Sequence, residues 1–73
     1  MGIGIEFNNN EEMIKIIDFV NNNDITFKYQ NNYLYIAYIT GFSFSRDDES
    51  YKISVDGFTL YITKDIVDYI GIV

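Results

Sequence analysis

From Asp24 to Ile62 the apolar residues of this chain recur at every second position, and that period commits the stretch, its turns apart, to extended structure. Ile25, Phe27 and Tyr29 alternate with Thr26 and Lys28. Asn31-Asn32 follows, where a tight hairpin needs residues that tolerate positive φ. Tyr33 to Ser45 then reads as one long strand with a bulge or bend at Thr40-Gly41, Phe42 and Phe44 pointing one way and Ser43 and Ser45 the other. The next reversal is Ser45-Arg46-Asp47-Asp48-Glu49-Ser50, after which Tyr51, Ile53 and Val55 alternate with Lys52 and Ser54. Asp56-Gly57 is the strongest hairpin signal in the chain, and Phe58 to Ile62 forms a last strand.

The two ends read differently. Gly2-Ile3-Gly4-Ile5-Glu6-Phe7 alternates small or polar residues with apolar ones and suits a short strand. Asn8 with Glu11, and Asn9 with Glu12, both have the N-cap-to-N3 spacing of a capping box. Met13, Ile16, Ile17 and Val20 then recur at helical spacing, and Asn21 to Asn23 supply a stop. After Thr63 a second helix is expected over Lys64 to Ile70, ending before Gly71. The predicted class is therefore α+β, one domain over residues 1–73. An antiparallel sheet of about four to five strands, in the order β-α-β-β-β-β-α, carries its helices packed on one face. The first strand can occupy either edge of that sheet.

A chain of this length buries only roughly 60% of the surface its unfolded form exposes, so its margin of stability is small. It contains no cysteine, which removes disulfide staples, thiolate metal sites and cysteine nucleophiles and favours a cytoplasmic setting. It contains no histidine, which removes imidazole as a ligand and as a base near neutral pH. Its longest apolar runs fall far short of the ~20 residues that span a bilayer, and its N-terminus lacks the basic region of a signal peptide. Five basic residues against 11 acidic ones give a net charge of −6. Such a surface repels nucleic acid and anionic membranes and steers basic proteins toward itself. With 48% hydrophobic residues it is nevertheless a folding sequence and not an acidic tail.

The three consecutive carboxylates Asp47, Asp48 and Glu49 invite a chemical reading, and the spacing rejects the obvious ones. A calcium-binding EF-hand loop begun at Asp47 needs an oxygen ligand at Tyr51, glycine at Lys52 and glutamate at Phe58, and all three positions fail. Magnesium held through phosphates would need a glycine-rich cradle that the chain lacks. A glycosidase pair requires carboxyl groups roughly 5 to 10 Å apart across a cleft, whereas neighbours at a turn tip diverge into solvent. Ser43, Ser45, Ser50 and Ser54 have no histidine to activate them, and the acidic setting disfavours a neutral Lys52. The sequence thus predicts neither an enzyme nor a cofactor or metal site. Direct nucleic-acid binding on exposed tyrosines would need a basic groove, which five dispersed cations do not make.

What remains is recognition of protein. In the long strand Tyr33, Tyr35, Ala37 and Ile39 share one face, and Leu34, Ile36, Tyr38 and Thr40 the other. If helices cover one face, the opposite one shows tyrosines, which bury much area at low entropic cost and keep a polar tip. The carboxylates Asp47, Asp48, Glu49, Asp56, Asp65 and Asp68 are spread over two loops and the expected last helix. Acids at i and i+3 on a helix rise about 4.5 Å and imitate part of a phosphate array. The expected binding residues are these six, with Tyr33, Tyr35 and Tyr38.

Heavy use of Asn, Ile and Tyr, with a single Ala and no Pro, adds the flavour of AT-rich coding found in low-GC bacteria and their phages. In size, charge, lack of cysteine and composition the chain resembles small phage-encoded counter-defence inhibitors, the anti-CRISPR class among them. The resemblance spans the whole chain but is one of composition, and it implies a monomer or weak homodimer. It would act in the cytoplasm, that of the host for a phage protein, on a protein with a basic nucleic-acid-binding surface, as a mimic of DNA or RNA. The competing expectation is a self-associating or adaptor domain that uses the tyrosine face or an open strand edge.

Overall fold

In a computed structural model of the chain, which describes residues 2–37, 42–55 and 58–73, the first strand is the organising element. β1 (Gly2–Phe7) is followed by the helix α1 (Asn10–Asn22). Asn9 caps that helix, its side chain accepting the Glu12 N–H, so of the two N-cap spacings legible in the sequence the second one is used, while the Glu12 carboxylate accepts from Lys15. Met13, Ile16 and Val20 are buried along one stripe and Ile17 is half-buried, as the helical spacing requires. At the other end the Asn23 side chain donates to the Phe19 carbonyl, and Asp24 turns the chain with φ of 56°.

β2 (Phe27–Gln30) and β3 (Tyr33–Ala37) form the hairpin predicted at Asn31-Asn32, with Asn31 at φ of 56°. Asn32 does more than turn the chain. Its carbonyl accepts the Phe7 N–H and its side chain donates to the Phe7 carbonyl, which fixes the hairpin to the end of β1. β1 pairs antiparallel with β3 on one side, from Gly2↔Ala37 to Glu6↔Tyr33. On the other side it pairs with β7 (Val67–Ile72), with a register shift between Glu6 and Phe7. The resulting sheet has the order β2-β3-β1-β7. A second antiparallel sheet is the meander β4 (Phe42–Arg46), β5 (Ser50–Val55) and β6 (Phe58–Thr63). A 3-10 turn, Lys64–Ile66, leads from it into β7.

Both sheets and the helix face one core. Ile3, Ile5, Phe7, Leu34, Ile36 and Ile70 come from the first sheet, Ile53 and Ile62 from the second, and Met13, Ile16 and Val20 from the helix; Ile25, just before β2, completes the cluster. None of the buried side chains is polar or charged among the described residues, so the core is held by apolar contact.

Four expectations are corrected. The α+β class with helices on one face is overturned: the described residues form seven strands in two antiparallel sheets with a single α-helix. The C-terminal helix is instead a 3-10 turn followed by β7, because Val67, Ile70 and Ile72 are β-branched and β1 has a second edge to be paired. The single strand from Tyr33 to Ser45 is two strands in different sheets, which lets Leu34 and Ile36 meet Ile53 and Ile62 across one core. β1 lies inside its sheet and not at an edge. The bend expected at Thr40-Gly41 and the turn at Asp56-Gly57 lie outside the described residues, although β5 and β6 do pair as that hairpin requires, up to Val55↔Phe58.

Leu34 is fully buried, and its replacement by alanine should cost about 3 kcal/mol. That is a large share of the stability expected for a domain this small. Urea unfolding followed by far-ultraviolet circular dichroism should show the loss, while Ser43→Ala on the exposed face of β4 should stay within about 0.5 kcal/mol.

Candidate protein-binding surfaces

The turn between β4 and β5 holds Asp47, Asp48 and Glu49, all exposed. It is closed by a hydrogen bond from the Asp47 N–H to the Ser50 carbonyl at 2.9 Å. The hollow beside it, about 560 Å³, is lined by Arg46 to Ser50 and is wide open to solvent. Among the described residues no group of three or more His, Cys, Asp or Glu is placed to hold a metal ion.

The cations nearest this turn are engaged by aromatic rings. Arg46 sits with its guanidinium carbon 5.5 Å from the centroid of Phe44 and 5.9 Å from that of Tyr51, and these two rings stack at 6.1 Å. Lys64 places its ammonium 5.4 Å from the Tyr51 centroid. Among the described residues the one ion pair joins Lys15 and Glu12 on the helix surface, at 3.2 Å. The carboxylates of the turn therefore keep their charge unneutralised by a partner at ion-pair distance.

Hydrogen bonds draw further acidic segments to the same end of the molecule. The Lys64 N–H donates to the Glu49 carbonyl at 3.0 Å, which brings the turn against the segment carrying Asp65. The Asn8 side chain donates to the Asp65 carbonyl at 2.9 Å and to the Asp68 carboxylate at 3.0 Å. The Asn8 N–H donates to the Ile66 carbonyl. Asn8 also leads directly into the first turn of α1, where Glu11 and Glu12 lie. Asp65 and Asp68 are exposed but belong to the 3-10 turn and to β7, so the helical spacing expected between them does not occur. Of the expected acids Asp56 lies outside the described residues; the other five are brought together. Glu11 and Glu12 join them unforeseen, since in the sequence they read as capping residues.

The expected tyrosines lie elsewhere, on the face of the first sheet turned away from the core. Tyr33 and Tyr35 are half-buried there, alternating with the buried Leu34 and Ile36. Tyr38 lies outside the described residues. Tyr69 of β7 joins them, 51% exposed. Each ring leans over a glycine. A Cβ on Gly4 would overlap the Tyr33 hydroxyl, one on Gly2 would meet the Ile36 carbonyl and the Tyr35 ring (2.7 Å), and one on Gly71 the Tyr69 hydroxyl (2.6 Å). Glycine covered by an aromatic side chain regains in contact what it lacks in side-chain packing. Gly71, read in the sequence as a helix stop, is thus a strand residue directly opposite Gly4. The β-branched Ile70 and Ile72 alternating with Tyr69 and Gly71 were the signal for it. No family model, curated protein or solved structure matches this chain. No helix among the described residues is long and apolar enough to cross a membrane.

Replacing Asn8 by alanine removes two side-chain hydrogen bonds at an exposed site and should cost about 1 kcal/mol in urea unfolding. Gly4→Ala should displace the Tyr33 hydroxyl end, seen as loss of the upfield ring-current shift of the residue-4 Hα protons in a proton NMR spectrum.

Proposed function

We propose that this protein binds, and thereby inhibits, a protein with a basic nucleic-acid-binding surface, its acidic end standing in for the phosphates. The observation that carries the reading is the gathering of Glu11, Glu12, Asp47, Asp48, Glu49, Asp65 and Asp68, from three separate chain segments, onto one end by the Asn8 and Lys64 hydrogen bonds. Seven of the chain's 11 acidic residues gathered in this way, in a chain of net charge −6, steer a basic groove toward that end and repel nucleic acid itself. Arg46 and Lys64 lie over the Tyr51 ring and form no ion pair with these carboxylates, which outnumber them. The compositional likeness to phage counter-defence inhibitors points in the same direction. The phosphate-array spacing first expected from a C-terminal helix is withdrawn with that helix; the array is now one of tethered loops.

Capture of partners from a low-GC bacterial lysate on the immobilised chain, followed by elution with duplex DNA, tests the reading. Nucleic-acid-binding proteins should be displaced by DNA, and their DNA binding should be blocked by the chain. The combined variant Asp47→Asn, Asp48→Asn, Glu49→Gln should weaken the complex by roughly tenfold and flatten its salt dependence. Captured proteins indifferent to DNA would count against the proposal.

One observation favours self-association as a second reading. β2 is an edge strand, and because the Thr26 carbonyl accepts the Ala37 N–H, the alternation leaves the backbone groups of Phe27 and Tyr29 facing outward. Lys28 on that strand is a guard against edge pairing. Light scattering separates the two: a concentration-dependent dimer indifferent to the acidic variant supports the edge.

A further inference from the structure

We infer that Glu6, flanked by Tyr33 and Tyr69 on the outer face of the first sheet, is a seat for an arginine side chain of a protein partner. This rests on the proposed basic partner and adds a second, chemically specific contact on the sheet face that borders the acidic end.

The strand register carries the argument. Glu6 lies directly opposite Tyr33 of β3 on one side and opposite Tyr69 of β7 on the other, so the three form one row across the sheet. Side chains opposed in this way have Cβ atoms about 5 Å apart. Glu6 is exposed, and among the described residues its carboxylate takes part in no ion pair. The neighbouring row on the same strands is Tyr35, Gly4 and Gly71, and its two glycines are buried and carry no side chain. Tyr33 and Tyr69 lean over those two glycines and Tyr35 over Gly2, so neither β1 nor β7 raises a side chain from that row beside Glu6. The result is an exposed carboxylate with a tyrosine opposite it on each neighbouring strand, beside glycines that the two rings cover.

Guanidinium fits this arrangement better than other groups. It is planar, stacks on aromatic faces and pairs with a carboxylate through two parallel N–H donors. Ammonium is a compact, strongly hydrated charge that gains less from the rings. A nucleobase would share the rings, but the phosphates attached to it would meet Glu6 and the net charge of −6. A second copy of this chain brings the same negative charge to the face.

Titration of the isotope-labelled full chain with a hexa-arginine peptide, and in parallel with hexalysine, followed by amide chemical shifts, tests the inference. The shifts should centre on Glu6, Tyr33, Tyr69, Gly4 and Gly71, with arginine bound about fivefold more tightly than lysine. Glu6→Gln, at an exposed side chain, should keep the unfolding midpoint and weaken arginine binding about fivefold to tenfold. Tyr69→Phe should retain the arginine preference and Tyr69→Leu should lose it. Neutralising Asp47, Asp48 and Glu49 together should weaken the peptide about twofold at most. Shifts confined to residues 47–49 and 64–68 would overturn the inference while leaving the acidic docking end intact. Absence of any shift with either peptide would overturn both. Shifts of the tyrosine face that grow with protein concentration in the absence of peptide would assign it to a second copy and overturn the inference.

Discussion

Everything else in this molecule depends on β1 being paired along both of its edges. Its N–H and C=O groups point alternately to β3 and to β7, as shown by the Phe7 N–H meeting the Asn32 carbonyl and Gly2 exchanging two hydrogen bonds with Val73. Its side chains alternate as strictly. Ile3, Ile5 and Phe7 are fully buried against the helix and the second sheet, while Gly2, Gly4 and Glu6 form the floor of the opposite face. A short N-terminal strand thereby holds the C-terminus, sets which tyrosines become neighbours and positions Glu6 among them. Without β7 on its far edge, Tyr69 and Gly71 would not reach that face.

The same pairing explains how two candidate surfaces arise from a small core. At the end of β1, Asn8 is held by the chain emerging from the 3-10 turn, and from there the acidic segments are tied together. Along the strand, glycines let tyrosine rings lie down on the sheet. Tyr51 links the two effects: by holding Arg46 and Lys64 on its ring it keeps cations near the acidic turn from closing onto it. The acidic end supplies long-range attraction, which sets the encounter rate more than the affinity. The tyrosine face offers what charge alone lacks, namely area and shape.

Much of this was legible from the residues. The N-cap Asn9, the buried stripe Met13, Ile16 and Val20, the hairpin at Asn31-Asn32, and the alternation of Tyr33 and Tyr35 with Leu34 and Ile36 all follow local rules of period and capping. Local rules failed where tertiary pairing decides. The segment from Lys64 to Ile72 has acids and apolar residues at helical spacing, yet its β-branched residues and the open edge of β1 make it a strand. The assignment of Tyr33 to Ser45 to a single strand failed because period two does not say to which sheet a strand belongs. Glu6 and Tyr69 escaped notice as site residues because only the β1–β7 register makes them neighbours.

The double pairing of β1 is therefore the claim to test first. Ile5↔Ile70 and Ile3↔Ile72 are non-hydrogen-bonded pairs in that register, with Cα atoms about 4.5 Å apart. A nuclear Overhauser spectrum of the chain should show strong Hα–Hα cross-peaks between Ile5 and Ile70 and between Ile3 and Ile72, with Gly4 to Tyr35 on the other side of the strand. Sequential helical contacts between residues three apart over 64–70, with no cross-peak from Ile5 to Ile70, would contradict the account.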